Sequence, residues 1–264
     1  MKRKQPFTLV ELLLAMVVFS IMLVLMMQFF SGARIIWSST EKRNNMYADA
    51  RIAMDLISTM LQNTIYAEEG IPFYVDGYYT DATGNPPPLG YDSKLYFVTK
   101  TKMELPGTGD IRFISFQRGS NADRNQLQIR IWPDDEPATK DDFSLCFPPY
   151  SAGNSIPDYK GALNKVKDQL DNATGDNLGI LLNNVTGFKV TPMIRSNTSN
   201  GVAVPPTSSY EDLPFMIEIQ LSLMDKVNYD LWTQMTGTTA ESFKNQHEYT
   251  FTRTVFIDDR NQSL

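Results

Sequence analysis

The chain opens with one uninterrupted apolar segment. No ionisable residue occurs from Leu12 to Ala33, and Arg34 follows directly. As a helix, these roughly 22 residues would span about 33 Å, which matches the hydrocarbon core of a bilayer. A short basic leader with Lys2, Arg3 and Lys4 precedes the segment. The pattern predicts a membrane-spanning helix near the N-terminus.

The helical pattern continues beyond the apolar segment, because apolar residues recur at steps of three and four while charged residues fill the other faces. Gly70 and Pro72 then supply a stop. We therefore predict one helix over residues 8–67, on the order of 90 Å long, apolar all round in its first half and amphipathic in its second. The predicted packing stripe consists of Met46, Ala50, Ala53, Ile57, Met60, Leu61, Thr64 and Ile65.

Alternation of apolar and polar residues dominates the rest of the chain and predicts strands. In residues 126–132, Leu127, Ile129 and Ile131 predict a buried face, and Gln126, Gln128 and Arg130 predict a wet one. Strands are predicted over residues 94–99, 111–118, 126–132, 185–194, 215–224 and 249–257, with 111–118 pairing with 126–132. A Pro- and Gly-rich loop is predicted over 70–92, and further helices near 158–170, 229–235 and 240–245.

One long helix followed mainly by antiparallel strands predicts an α+β fold, with the amphipathic half of the helix packed on an antiparallel β-sheet.

Composition narrows the possible functions of the 264-residue chain. Its net charge of −6 does not suggest a protein that binds nucleic acid, which would need a basic patch. Cys146 is the only cysteine and His247 the only histidine, so an intrachain disulfide and a multi-histidine metal site are not expected. The acidic run over 171–176 lacks the spacing of a calcium-binding EF-hand, and His247–Glu248 has no accompanying nucleophile motif. We expect no catalytic residue, no metal and no cofactor.

The order Phe7-Thr8-Leu9-Val10-Glu11, between a basic leader and an apolar helix, resembles the N-terminal signature of type IV pilins and type II secretion pseudopilins. The resemblance implies that prepilin peptidase cuts between Pro6 and Phe7, that the Phe7 amine is methylated, and that the helix stacks in a filament core. With this cut, the expected organisation is a leader peptide over 1–6, a transmembrane half of the helix over 7–34 and a globular domain over 35–264. Glu11 matches the glutamate whose charge meets the N-terminal amine of a neighbouring subunit during assembly. The family usually has glycine where this chain has Pro6.

Later stretches resemble the J-type minor pseudopilins and the Verru_Chthon cassette pilin-like proteins. These stretches lie at residues 50–56, 181–185, 213–225 and 252–255. The resemblance implies other pilin or pseudopilin subunits as partners. It also implies a single pass through the inner membrane, with the globular domain outside the cytoplasm. The size of that domain favours a position at or near the filament tip.

Other interpretations of the N-terminus stay open. A plain transmembrane anchor explains everything except the order of Phe7 to Glu11, and an ordinary secretory signal could end at Ala33, after Ser31 and Gly32. The corresponding alternative functions are a membrane-anchored extracytoplasmic binding domain that does not polymerise, and an exported hydrolase of unfamiliar type.

Overall fold

The computed structural model divides the chain into two compact units, Met1–Tyr47 and Ala48–Leu264. The residues that it describes are 9–65, 73–77, 92–100, 111–119, 123–133, 167, 170–173, 178–195, 202–203, 209–210 and 213–257. Pro6, Phe7 and Cys146 lie outside this set, as do most of the predicted helix at 158–170 and the tyrosines at 78, 79 and 91.

Helix α1 spans Leu9–Gln62 and belongs to both units. In the first unit its large apolar side chains are exposed. Hydroxyls within the helix are satisfied locally: Ser20 donates to the Met16 carbonyl at 2.8 Å and Thr40 to the Ile36 carbonyl at 2.9 Å. The second half of α1 becomes one-sided, as the spacing predicted. Its buried residues are Ala50, Ala53, Met54, Ile57, Ser58, Met60 and Leu61.

Helix α1 ends earlier than residue 67. The Asn63 side-chain amide donates to the Thr59 carbonyl at 2.9 Å, and Thr64–Ile65 turn into a short strand beside residues 98 and 99. The Thr99 hydroxyl donates to the carbonyl of Met60 at 2.9 Å. Hydrogen bonds from the sheet thus replace the next helical turn and satisfy a carbonyl that the helix end leaves open.

Eleven strands and two further helices are described. They are β1 Thr64–Ile65, β2 Phe73–Asp76, β3 Lys94–Lys100, β4 Ile111–Arg118, β5 Leu127–Pro133, β6 Leu178–Leu182, β7 Val185–Arg195, β8 Val202–Ala203, β9 Ser209–Tyr210, β10 Met216–Leu223, α2 Lys226–Trp232, α3 Gly237–His247 and β11 Tyr249–Phe256. All the predicted strands occur, with shifts of one or two residues at some ends, and β4 pairs with β5 as predicted.

The strands form two antiparallel sheets where one was predicted. The larger has the order β6-β5-β4-β3-β2-β9, with β1 also paired to β3, and the smaller has the order β11-β10-β7-β8. Strand β10 alternates regularly, with every second side chain buried. Asp225 caps α2 by accepting hydrogen bonds from the backbone of Val227 and Asn228. The α+β class is confirmed.

Two local predictions were wrong. Residues 70–92 were expected to be loop, yet Phe73–Asp76 forms the strand β2. All four of its residues pair with β3, which holds them in the extended conformation. The expected wet face of β5 is also buried: Gln128 and Arg130 are both enclosed. The Gln128 amide and the two Nη atoms of Arg130 find partners in the protein, which removes much of the cost of burying them, whereas Arg130 Nε has no hydrogen-bond partner.

Candidate functional site

Glu11 lies in the first turn of α1. The partial positive charge at a helix N-terminus favours a carboxylate there, by about 0.3–1 kcal/mol. Beyond Glu11, the apolar side chains from Leu12 to Phe30 are exposed around the helix. Within the described residues, α1 is the one helix long and apolar enough to cross a membrane, and none of its apolar window is buried inside the protein.

This arrangement has a chemical consequence for the carboxylate. Transfer of an ionised side chain into hydrocarbon is costly, by roughly 2.5–3.5 kcal/mol at a helix centre on insertion scales, and less near the interface. A cationic group that meets Glu11 at low dielectric would offset this cost. A carboxylate in the first turn of α1 is a group that can form an ion pair with an amine or another cation.

The second unit contains a buried ion pair that our sequence analysis did not single out. Arg118, at the end of β4, donates through Nη1 to both carboxylate oxygens of Asp92, at 2.8 and 2.9 Å. The same guanidinium donates to the carbonyls of Arg124 and Thr186. Burial raises the pKa of the nearby Tyr229 hydroxyl, and the positive charge of Arg118 partly offsets this increase. The only feature of the sequence that could have indicated this ion pair is an arginine at the end of an apolar strand.

Asp171, from the acidic run, is engaged with the larger sheet. Its carboxylate accepts from the Lys94 ammonium at 2.6 Å and from the Tyr96 hydroxyl at 2.7 Å. Arg130 donates to the carbonyls of Leu170 and Asp171. Burial, reinforced by the charge of Asp171, raises the pKa of Tyr96, whereas burial lowers the pKa of Arg130. Asp171 therefore fastens its segment onto the sheet.

The other candidate residues are not gathered into a reactive site. The His247 ring lies 4.3 Å from that of Phe243, while the Glu248 carboxylate accepts from the Thr186 hydroxyl and lies 3.4 Å from the Lys244 ammonium. His247 and Glu248 thus engage different partners. Within the described residues, no group of three or more His, Cys, Asp or Glu side chains could hold a metal ion.

Comparison with protein families gives a match for the N-terminal residues. Residues 1–27 match the family model described as the prokaryotic N-terminal methylation motif. The chain has a type IV pilin-like N-terminus. This motif belongs to a structural family and implies processing by prepilin peptidase and assembly with other pilins. Together with the one apolar helix, it fits a membrane-anchored, single-pass protein. Neither the curated proteins nor the solved structures gave a match.

Proposed function

We propose that this chain is a minor pilin- or pseudopilin-like subunit of a type IV pilus or of a type II secretion-type filament. The observation that supports this most is the continuity of α1. A methylation motif leads directly into a helix with an exposed apolar half, and the same helix carries the buried stripe of a folded domain. The J-type minor pseudopilins and the Verru_Chthon cassette proteins are the proposed relatives.

In this proposal the N-terminus is processed before assembly. Prepilin peptidase removes residues 1–6 by cutting between Pro6 and Phe7, and the new Phe7 amine is methylated. Residues 7–34 hold the subunit in the inner membrane and later line the filament core. Residues 35–264 lie on the extracytoplasmic side. The chain acts structurally, with no catalytic residue and no cofactor.

Glu11 has the central role in assembly. Within the apolar segment its carboxylate is costly, and the N-terminal amine of a neighbouring subunit would offset that cost at low dielectric. Because the amine sits at one defined end of each helix, the pair would also fix the axial register between subunits. A domain that is only anchored to the membrane would gain from this carboxylate no more than the small stabilisation of the helix N-terminus.

Co-purification of Glu11→Ala with the other pilin-like subunits from membranes tests the proposal. We expect this variant to reach the membrane as well as the unmodified protein and to recover about tenfold less partner, which corresponds to the loss of roughly 1.4 kcal/mol. Asp49→Ala is the matched control, because it removes a carboxylate from an exposed position of the same helix outside the apolar run.

If Glu11→Ala recovers its partners as well as Asp49→Ala does, Glu11 has no assembly role. If neither the unmodified chain nor the control recovers any pilin-like partner, the protein is better explained as a membrane-anchored extracytoplasmic binding domain that does not polymerise.

A further inference from the structure

The part of α1 that follows the apolar segment combines exposed apolar and basic side chains. We name residues 34–43 the basic collar. The side chains of Ile35, Ile36 and Trp37 are 69%, 70% and 76% exposed. Arg34, Lys42 and Arg43 are also exposed, and Glu41 is the one acidic residue of the collar. This is a local excess of positive charge in a chain whose net charge is −6.

Helical geometry spreads the apolar side chains around the axis. Successive residues of an α-helix are about 100° apart, so Ile35, Ile36 and Trp37 point in three different directions. A single protein surface can cover one side of a helix, whereas a surrounding lipid layer covers all sides at once. The collar also directly continues the segment that is apolar enough to cross a membrane.

If α1 spans a membrane, the helical rise sets how far the basic residues lie from Trp37. Trp side chains prefer the membrane–water interface, which places Trp37 near that level. At a rise of 1.5 Å per residue, Lys42 and Arg43 lie roughly 8–9 Å further along the helix. This distance is close to one Debye length at physiological salt and to the depth of one headgroup layer, about 5–8 Å. Their long side chains can bend back toward the phosphates.

We infer that the basic collar is a docking surface for anionic phospholipid headgroups. Each basic residue near an anionic surface adds about 1 kcal/mol of attraction, or about a fivefold enrichment of anionic lipid. The collar would hold the subunit upright at a fixed depth before assembly. This inference depends on membrane insertion of α1 and not on polymerisation, so the co-purification experiment with Glu11→Ala can fail while this one succeeds.

Quenching of Trp37 fluorescence in vesicles tests the inference. The full chain is reconstituted into phosphatidylcholine vesicles that contain phosphatidylglycerol, with a headgroup spin label on one lipid or the other. The signal of Trp37 is obtained by subtracting that of Trp37→Phe. We expect labelled phosphatidylglycerol to quench severalfold more than labelled phosphatidylcholine at equal content, and the excess to fall with rising salt.

The double variant Lys42→Gln/Arg43→Gln should lose this excess. Lys100→Gln/Lys226→Gln is the matched control, because it removes two charges from exposed positions of the second unit. Equal quenching by both lipids, an absence of headgroup quenching, or an excess that survives in the collar variant would overturn the inference. So would a collar variant that keeps the lipid preference but loses cross-linking between copies, since the collar would then face a second copy.

Discussion

Arg118 and Asp92 join the two sheets of the second unit. The Nη1 atom of Arg118, in the larger sheet, lies 2.8 and 2.9 Å from the two carboxylate oxygens of Asp92. The same atom donates to the carbonyl of Thr186, in β7 of the smaller sheet, at 3.2 Å. The Arg118 side chain is only 4% exposed. A guanidinium from the larger sheet therefore pairs with the carboxylate that precedes β3 and also satisfies a carbonyl of the smaller sheet.

Removing this guanidinium should destabilise the domain strongly. We expect Arg118→Met to lower the free energy of unfolding by about 3–5 kcal/mol, because the charge of Asp92 loses its buried partner. Urea unfolding would measure the difference. Arg124→Met is the control: its side chain is 57% exposed and lies 4.0 Å from Asp92. A surface contact of that kind contributes about 1 kcal/mol or less. Equal losses in the two variants would contradict the role of Arg118.

The buried stripe of α1 can be tested with two isoleucines on one helix. Ile57 is fully buried, whereas Ile52 is 66% exposed. In a chain shortened to begin after residue 33, Ile57→Asp should cost several kcal/mol, about 3–5, because an unpaired carboxylate enters the core. Ile52→Asp should change stability by about 0.5 kcal/mol or less. Thermal unfolding followed by circular dichroism compares them, and an unchanged midpoint for Ile57→Asp would show that this face does not pack.

Tyr96 should make the domain sensitive to alkali. Burial holds its pKa above that of an exposed tyrosine, so the folded state keeps the proton that the unfolded state releases near pH 10. Its stability contribution is therefore complete below about pH 10. Above that pH the free energy of unfolding should fall by about 1.4 kcal/mol per pH unit for this group.

Tyr96→Phe separates this effect from general alkaline denaturation. At neutral pH it should cost about 1 kcal/mol, through loss of the hydrogen bond to Asp171. Between about pH 9 and about pH 11 its free energy of unfolding should decline less steeply than that of the unmodified protein. Some decline should remain, because burial also raises the pKa of Tyr229. Parallel declines in the two proteins would show that Tyr96 ionises equally in both states.

Local pattern predicted those elements whose faces differ in polarity. Strand β10 alternates between buried and half-buried side chains, and its sequence shows the same alternation, because its polar face is not enclosed. The buried stripe of α1 could also be predicted from the sequence, since one side of the helix is buried and the other exposed. In both cases a residue's polarity and its solvent exposure agree, which is the assumption behind reading a periodic pattern.

The errors arose where partners lie far away in sequence. Polar residues of β5 were predicted to face water, but Arg130 donates to a carbonyl 40 positions later, at Leu170. Strand β2 contains few residues and depends on its ladder with β3. Asp92 and Arg118 are unremarkable until the fold brings them together. Pairing over such separations leaves no periodic trace in the chain.

The N-terminus of the mature protein tests the prepilin account most directly. The protein should be extracted from the membranes of cells that produce it naturally, and its N-terminus determined by intact mass and N-terminal sequencing. If the chain is processed as a prepilin, the mature protein begins at Phe7 with a methylated amine. A chain that still begins at Met1 would mean that Pro6 blocks processing and that α1 is a plain anchor. A chain that begins at Arg34 or later would identify an ordinary secretory signal and would contradict prepilin processing.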